Sequence, residues 1–368
     1  MTNRDFRQPF PSTAHLSTVT LFGLVHALVD TTCATVLYAG CRLHGMSDSQ
    51  SFSLIVAYNI VAFGVQPVLG LAIDSLRIPR GAAIGGVALL LAGVLLVPVD
   101  AWVCVALVAV GNALFHVGCG AQVLSLKRAS AALPGLFVGP GALGLSLGVW
   151  MGHHALLPVM PLSVALVAAI AILVAIRPVE DVREFSAVVP RPQWIPAAVV
   201  LLLFAVAVRA VCGRTGLNPN AGEAGIWFGL GAAACAGKIV GGFVADRIGW
   251  VTTVIAVLVV ATPLLVLGSK VPMTAVVGIF VFQMAMPVTL AATGVCLPKR
   301  SGLAFGLTCL ALLVGSAPTF VPLLRECLTW YVTVTLIGIA AVAVFVALKL
   351  AAGSLAQSTQ NGAASTGH

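Results

Sequence analysis

The chain has 368 residues, of which 60% are apolar and 8% charged, with a net charge of +8 and a mean hydropathy of +1.09. Soluble domains hold roughly 45–50% apolar and about 25% charged residues, so water-soluble, disordered, collagen-like and secreted disulfide-rich classes are all excluded. At about 20 residues per span plus a short connection, the length accommodates about a dozen transmembrane helices and leaves nothing for a soluble domain.

Residues 1–15 are polar and lack an apolar stretch ending in a small-residue cleavage site, which predicts a retained first helix. Twelve apolar runs follow. The first six are Leu16 to Tyr38, Phe52 to Ile73, Gly81 to Val97, Trp102 to Leu126, Leu133 to Met151 and Leu156 to Ile176. A charged stretch, 177–194, with Arg177, Glu180, Asp181, Arg183, Glu184 and Arg191, reads as a linker. The second six are Ile195 to Val211, Gly225 to Val244, Val251 to Leu267, Met273 to Leu297, Gly302 to Leu324 and Leu328 to Leu348, followed by a tail at 349–368 that reads as disordered. The expected organisation is therefore a six-helix bundle over 16–176 and a second over 195–348, an all-α polytopic membrane protein.

Lys and Arg in short loops are retained on the cytoplasmic side. With both termini inside, 13 basic residues fall on the cytoplasmic side and 4 outside, Arg42, Arg214, Lys270 and Arg325, with Arg209 and Lys238 left within spans. The positive charge is thus a topology signal; no basic surface interleaved with aromatics points to nucleic acid. The tryptophans at or near span ends, Trp102, Trp150, Trp194, Trp227, Trp250 and Trp330, suit the headgroup level. The nine cysteines read mostly as small apolar residues within spans; Cys41, Cys212 and Cys327 lie near the outer face, where a disulfide is conceivable, and none has metal-ligand spacing.

Ionisable groups inside spans are functional candidates by default. His26 and Asp30 lie in span one, Asn112, His116 and Gln122 in span four, Arg209 in span seven and Gln283 in span ten, while Tyr58, Asn59, Gln66 and Lys238 lie in spans two and eight. The pairs His26/Asp30 and Asn112/His116 are each four residues apart, on one helix face. Asp30 is an acid in hydrocarbon, suited to loading and releasing a proton that His26 shares. Asp30 and Arg209 each lie 14 residues into their spans, roughly 21 Å from the cytoplasmic face at 1.5 Å per residue, and are expected to face one another. Lys238 is expected to snorkel or to pair near Asp246. Trp227, Phe228, Phe282, Met284, Met286, Pro287 and Phe305 are candidates for an apolar wall.

Two loops repeat one pattern: Gly70-Leu-Ala-Ile-Asp74-Ser-Leu-Arg77 after span two, and Gly242-Phe-Val-Ala-Asp246-Arg247 after span eight, with the aspartates 172 residues apart. Glycine permits close helix contact, and the carboxylate and arginine at a helix end form a breakable latch. This pair resembles the signature of the major facilitator superfamily, and the twelve spans and charged central linker extend the resemblance over the chain. It implies two pseudo-symmetric six-helix bundles, spans one, four, seven and ten around a central cavity, and spans three, six, nine and twelve facing outward. Gly135-Leu-Phe-Val-Gly139-Pro140-Gly141-Ala-Leu-Gly144 in span five resembles the glycine-proline element of antiporters in that superfamily. His26-Ala-Leu-Val-Asp30 and Phe115-His116 are similar to elements of fosmidomycin-resistance-type exporters.

These features lead to the expectation of a secondary transporter in the inner or plasma membrane: a monomer in contact with lipid and a small-molecule substrate, with Asp30 and His26 coupling protons to export. Asn112, His116, Arg209, Gln283, Tyr58, Asn59 and Lys238 are expected to line the cavity. The alternatives are uptake of a small anion held by Arg209 and a non-transporting receptor or scaffold. No phosphate-cradling loop is present, no cofactor or metal is expected beyond a proton gradient, and the adjacent His153 and His154 do not make an enzyme site.

Overall fold

A computed structural model describes residues 8–127, 129–176, 192–215, 224–268 and 271–352. Among them ten helices are long and apolar enough to cross a membrane, and two shorter apolar helices complete a set of twelve. They are α1 (Thr13–Leu43), α2 (Asp48–Leu76), α3 (Pro79–Leu96), α4 (Ala101–Leu126), α5 (Ala132–His153), α6 (Val159–Ala175), α7 (Ile195–Thr215), α8 (Ala224–Ile248), α9 (Trp250–Gly268), α10 (Pro272–Cys296), α11 (Ser301–Ser316) and α12 (Trp330–Ala352). Residues 1–7, most of the expected linker and the tail from 353 lie outside the described set.

Local chemistry sets the helix ends. Ser12 caps α1 through the amide of His15, Ser47 and Gln50 form a capping box on α2, and the Asp100 carboxylate accepts from Val103 N at 2.8 Å to start α4. Pro79 and Pro272 occupy the first turns of α3 and α10, where no amide bond is lost. Arg80 donates to the carbonyls of Leu173 and Val174, satisfying the C-terminal end of α6 from α3.

Proline shapes three helices differently. Ahead of Pro67, α2 widens into a π-bulge over Ile60–Gly64. Pro287 has no N–H for the carbonyl one turn earlier, and α10 breaks between the segments Pro272–Gln283 and Met286–Cys296. Helix α11 ends at Ser316, ahead of Pro318 and short of the expected Leu324. Pro140, in contrast, sits inside a continuous α5.

Burial differs between the helices. Of the central stretches, 67% of α1, 72% of α4 and 67% of α10 are buried, against 39% for α3, α9 and α12. Val259 and Val342 present bare aliphatic surface. One buried cluster joins α1 to α6 around Val29, Leu54, Phe115 and Leu166, and takes in Phe305 and Ala304 of α11. A second joins α7 to α12 around Leu202, Trp250, Leu258 and Phe282, and takes in Ala131 at the start of α5. Each cluster thus receives residues from the opposite set of helices. Trp250 departs from the headgroup expectation: it is fully buried, and its indole donates to Asp246 at 3.1 Å. All nine cysteines are free, so Cys41, Cys212 and Cys327 form no disulfide.

Candidate functional site

Three helices build the central polar cluster. Helix α5 carries glycines on two faces. On one face, Gly141, Gly144 and Gly148 let α1 approach so closely that an added Cβ would collide with His26 and Asp30, with the backbone of Ala27 and with that of Thr31. On the other face, Gly135 and Gly139 admit Lys238, Cys235 and Ile239 of α8. The element Gly139, Pro140 and Gly144 is therefore a packing surface that joins α1 to α8.

The Phe137 carbonyl lies in the turn ahead of Pro140, and His26 Nδ1 donates to it at 2.9 Å. His116 Nδ1 likewise donates to Asn112 O at 3.0 Å. A carbonyl only accepts, so Nδ1 carries the fixed proton in both rings and each Nε2 is left for the variable one. Both Nε2 atoms point at Asp30: His26 Nε2 lies 3.2 Å from Oδ2, and His116 Nε2 lies 3.5 Å from Oδ1. An unprotonated imidazole nitrogen and a carboxylate oxygen are both acceptors, so each contact needs one proton to be attractive. The triad therefore has places for two protons, and its net charge runs from −1 with none, through 0 with one, to +1 with two.

Aromatic rings enclose the group. The rings of His26 and His116 meet edge to face with centroids 4.4 Å apart, and Phe115, Phe137, Phe63 and Phe305 stand around them. Phe305 comes from α11 and presses into the gap left by Gly120 of α4. Asp30 keeps a side-chain exposure of 16%, so the cluster is enclosed but not sealed. Tyr58, Cys33, Cys309 and Lys238 are the other titratable groups within electrostatic range of Asp30. The three ligand-type atoms lie within 4.8 Å of one another. With a divalent cation the group would carry +1, the same charge it carries with two protons.

Several expected cavity residues have other partners. Asn112 Nδ2 donates to Tyr58 OH at 2.6 Å, tying α4 to α2, and Asn59 Nδ2 returns to Ile55 O on its own helix. Gln283 packs beside Gly237 of α8 at the α10 break. His116, expected in the cavity, belongs with Asp30. Arg209 makes no ion pair with Asp30 among the described residues; α1 packs on α4 and α5, whereas α7 packs on α10, α11 and α12. Its guanidinium is buried, lies 5.3 Å from the Phe282 ring centroid and donates at 3.4 Å to Thr289 Oγ1 and to Phe282 O. Lys238 neither snorkels nor pairs with Asp246; its Nζ donates across to Val138 O of α5 at 3.4 Å. The carbonyls of Phe137 and Phe282, Thr289 and the Gly120 notch were not singled out by sequence reasoning; Pro140 and Pro287 were the available signals, since each disrupts a nearby turn.

The two repeated loops form a crossed pair of caps. Asp74 accepts from Gly302 N and Leu303 N, both at 2.9 Å, and so caps α11, with Gly70 against the Gly302 backbone. Asp246 accepts from Ala131 N and Ser130 Oγ at 2.8 Å and from Ala132 N at 3.1 Å, and so caps α5, with Gly242 against the Ala131 backbone. Each carboxylate meets the positive end of a helix from the other bundle. This corrects the expected carboxylate–arginine latch: Arg77 and Arg247 are exposed, and among the described residues neither pairs with these aspartates.

Solved structures share the overall fold. A variant of the E. coli fucose:proton symporter FucP aligns over 91% of this chain and 98% of its own, with a TM-score of 0.69 at 12% identity. FucP in the outward conformation aligns over the same shares with a TM-score of 0.65 at 12% identity. The human organic anion transporter MFSD10 (TETRAN) aligns over 92% of this chain and all of its own, with a TM-score of 0.66 at 13% identity. The chain has the major facilitator fold. No family model and no curated protein sequence matches it. Within the major facilitator fold, the crossed caps hold the two bundles together at the end that carries the start of α1, where Gln8 N also donates to Asp246 O.

Proposed function

We propose that this protein is a secondary active transporter of the major facilitator type, a carrier rather than an enzyme, in which the His26–Asp30–His116 triad loads and releases the coupling proton. The observation that carries the reading is the pair of Nε2-to-carboxylate contacts, each requiring a proton, in a nearly dry setting. A group with two proton places at the heart of the bundle couples to solute if its protonation differs between the two access states. The likeness of fold to a fucose:proton symporter supports proton coupling as the energy source. The caps made by Asp74 and Asp246 supply contacts that break and re-form as the bundles rock.

Export by exchange follows if solute and proton compete for the triad; co-transport follows if they occupy separate places. The test is proton flux in proteoliposomes loaded with a pH-sensitive dye, challenged with sugars, amino acids, carboxylates and phosphate. Wild-type protein should give a lumenal pH change with one class of solute, its sign reporting exchange or co-transport. Asp30→Asn should abolish the change while leaving solute-driven counterflow. A variant that keeps the full pH change overturns the assignment, and the absence of flux with any solute under any gradient favours a receptor or scaffold.

A further inference from the structure

Arg209 is 94% buried and has no acid within ion-pair distance among the described residues. Its Nε has no hydrogen-bond partner, and its two donated bonds, at 3.4 Å, are longer than ordinary ones. A cation enclosed in a spanning bundle is normally paired, since leaving it uncompensated is strongly unfavourable. Lys238, half-buried, forms a single long bond to a carbonyl, and both Asp30 and Arg209 lie within its electrostatic range. Among the described residues the acid within electrostatic range of Lys238 is Asp30, whose oxygens are already engaged by two histidines.

Arg209 sits at the α10 break, touching Phe282 O on the first segment and Thr289 on the second. The second segment, Met286–Cys296, starts at the break without a side-chain cap, beside the carbonyl end of the first segment, Pro272–Gln283. The facing wall is α8, whose Gly237 and Gly241 fit against Gln283 and Met284 on either side of Lys238. The guanidinium thus meets the start of the second segment, and Lys238 is carried by the helix packed against the break.

We propose that the transported solute is a small organic anion whose carboxylate or phosphate group supplies the missing counter-ion of Arg209 at the α10 break, with Lys238 on the opposing wall. This deepens the transporter reading above and rests on it. It also separates the two cargoes, the proton on α1 and α4 and the anion on α7, α8 and α10, which is the arrangement for co-transport.

The test uses the purified full chain in detergent, without a gradient, so that anion binding is read apart from proton coupling. Thermal midpoints are measured with succinate, lactate, citrate and inorganic phosphate, and with glucose and choline as uncharged and cationic controls, at matched ionic strength. One or more anions should raise the midpoint by mass action. Arg209→Met should weaken that anion at least about thirtyfold, and Lys238→Met should weaken it as well. Without anion, Arg209→Met should raise the midpoint, because it removes an uncompensated buried charge. Asp30→Asn should keep the anion-dependent shift. No anion acting beyond the controls, or an Arg209→Met protein with a lowered midpoint and an unchanged anion shift, overturns the inference. Failure of the proton assignment is a distinct result: Asp30→Asn that keeps its pH-driven flux while Arg209 still governs anion binding.

Discussion

Asp30 and His116 meet across the α1–α4 interface, with Nε2 3.5 Å from Oδ1, while His26 takes the other carboxylate oxygen. The two histidines are not equivalent. The His26 contact is shorter, 3.2 Å, and its ring is held by a carbonyl from a third helix, whereas His116 is held by its own helix. Replacing His26 by Gln should therefore reduce pH-driven flux more than replacing His116 by Gln, and Asp30→Asn should abolish it. Both histidine variants should also change the pH profile of transport. A profile that keeps its shape and loses only amplitude would assign the rings to packing.

Gly141 and Gly144 separate packing from chemistry on the same face of α5. A Cβ at Gly141 would lie 2.5 Å from His26 Nε2 and 2.7 Å from Asp30 Oδ2, both ends of side chains that can swing aside. A Cβ at Gly144 would strike the Ala27 backbone, which moves only if α1 moves. Gly144→Ala should accordingly lower stability by about 1–3 kcal/mol, the usual range for overpacking. Gly141→Ala should retain most of the thermal midpoint and lose pH-driven flux, because its methyl displaces the triad. Equal losses of stability in the two variants would show that the triad cannot yield and that Gly141 serves contact alone.

Much of this was legible in the sequence for physical reasons. Hydrocarbon imposes a length and an apolar composition on every span, so expected runs such as Trp102 to Leu126 coincide with helices such as Ala101–Leu126. The pairing of His26 with Asp30 followed from spacing on one helix. Contacts between helices were harder, because side-chain identity does not state which helix lies alongside. Arg209 and Asp30 share a depth but belong to helices that do not pack together, so equal depth gave no contact. His116 reached Asp30 because α4 is the neighbour of α1. The loop aspartates were found by their repeat, yet their partners are backbone amides, which carry no sequence signature. Helix α11 ended early because Pro318 follows Ser316, a stop that apolar composition alone overrides.

The crossed caps make opposite contributions to the two bundles and should differ in strength. Asp246 is buried with four donors, those of Ser130, Ala131, Ala132 and Trp250, whereas half-buried Asp74 has two amides. Bonds to a charged group are worth about 1.5–3 kcal/mol each, and an abandoned buried amide adds its desolvation penalty. Asp246→Ala should lower the thermal midpoint more than Asp74→Ala. Asp74→Ala should instead free α11 and raise the alkylation rate of Cys309, a buried thiol two turns along that helix, as mapped by mass spectrometry. Unchanged labelling with a lowered midpoint would mean that Asp74 supports the fold without controlling α11.

Phe305 joins that cap to the proton triad. Its ring fills the Gly120 notch, stands 6.5 Å from the His116 ring and 5.9 Å from the Phe137 ring between centroids, and is carried by the helix that Asp74 caps. Movement of α11 therefore withdraws the side chain that covers the triad from one end. Removing the ring should leave a path for water to Asp30, so Phe305→Ala should leak protons down a pH gradient without solute. Loss of packing should also destabilise it by about 3–5 kcal/mol. Phe305→Leu, which keeps most of the volume, should restore tightness and midpoint together. The measurement is solute-free dye acidification in proteoliposomes for both variants and for Phe305→Ala combined with Asp30→Asn. The combined variant should stop leaking, because the path then lacks its proton carrier; a leak that persists without Asp30 would place the conducting route elsewhere.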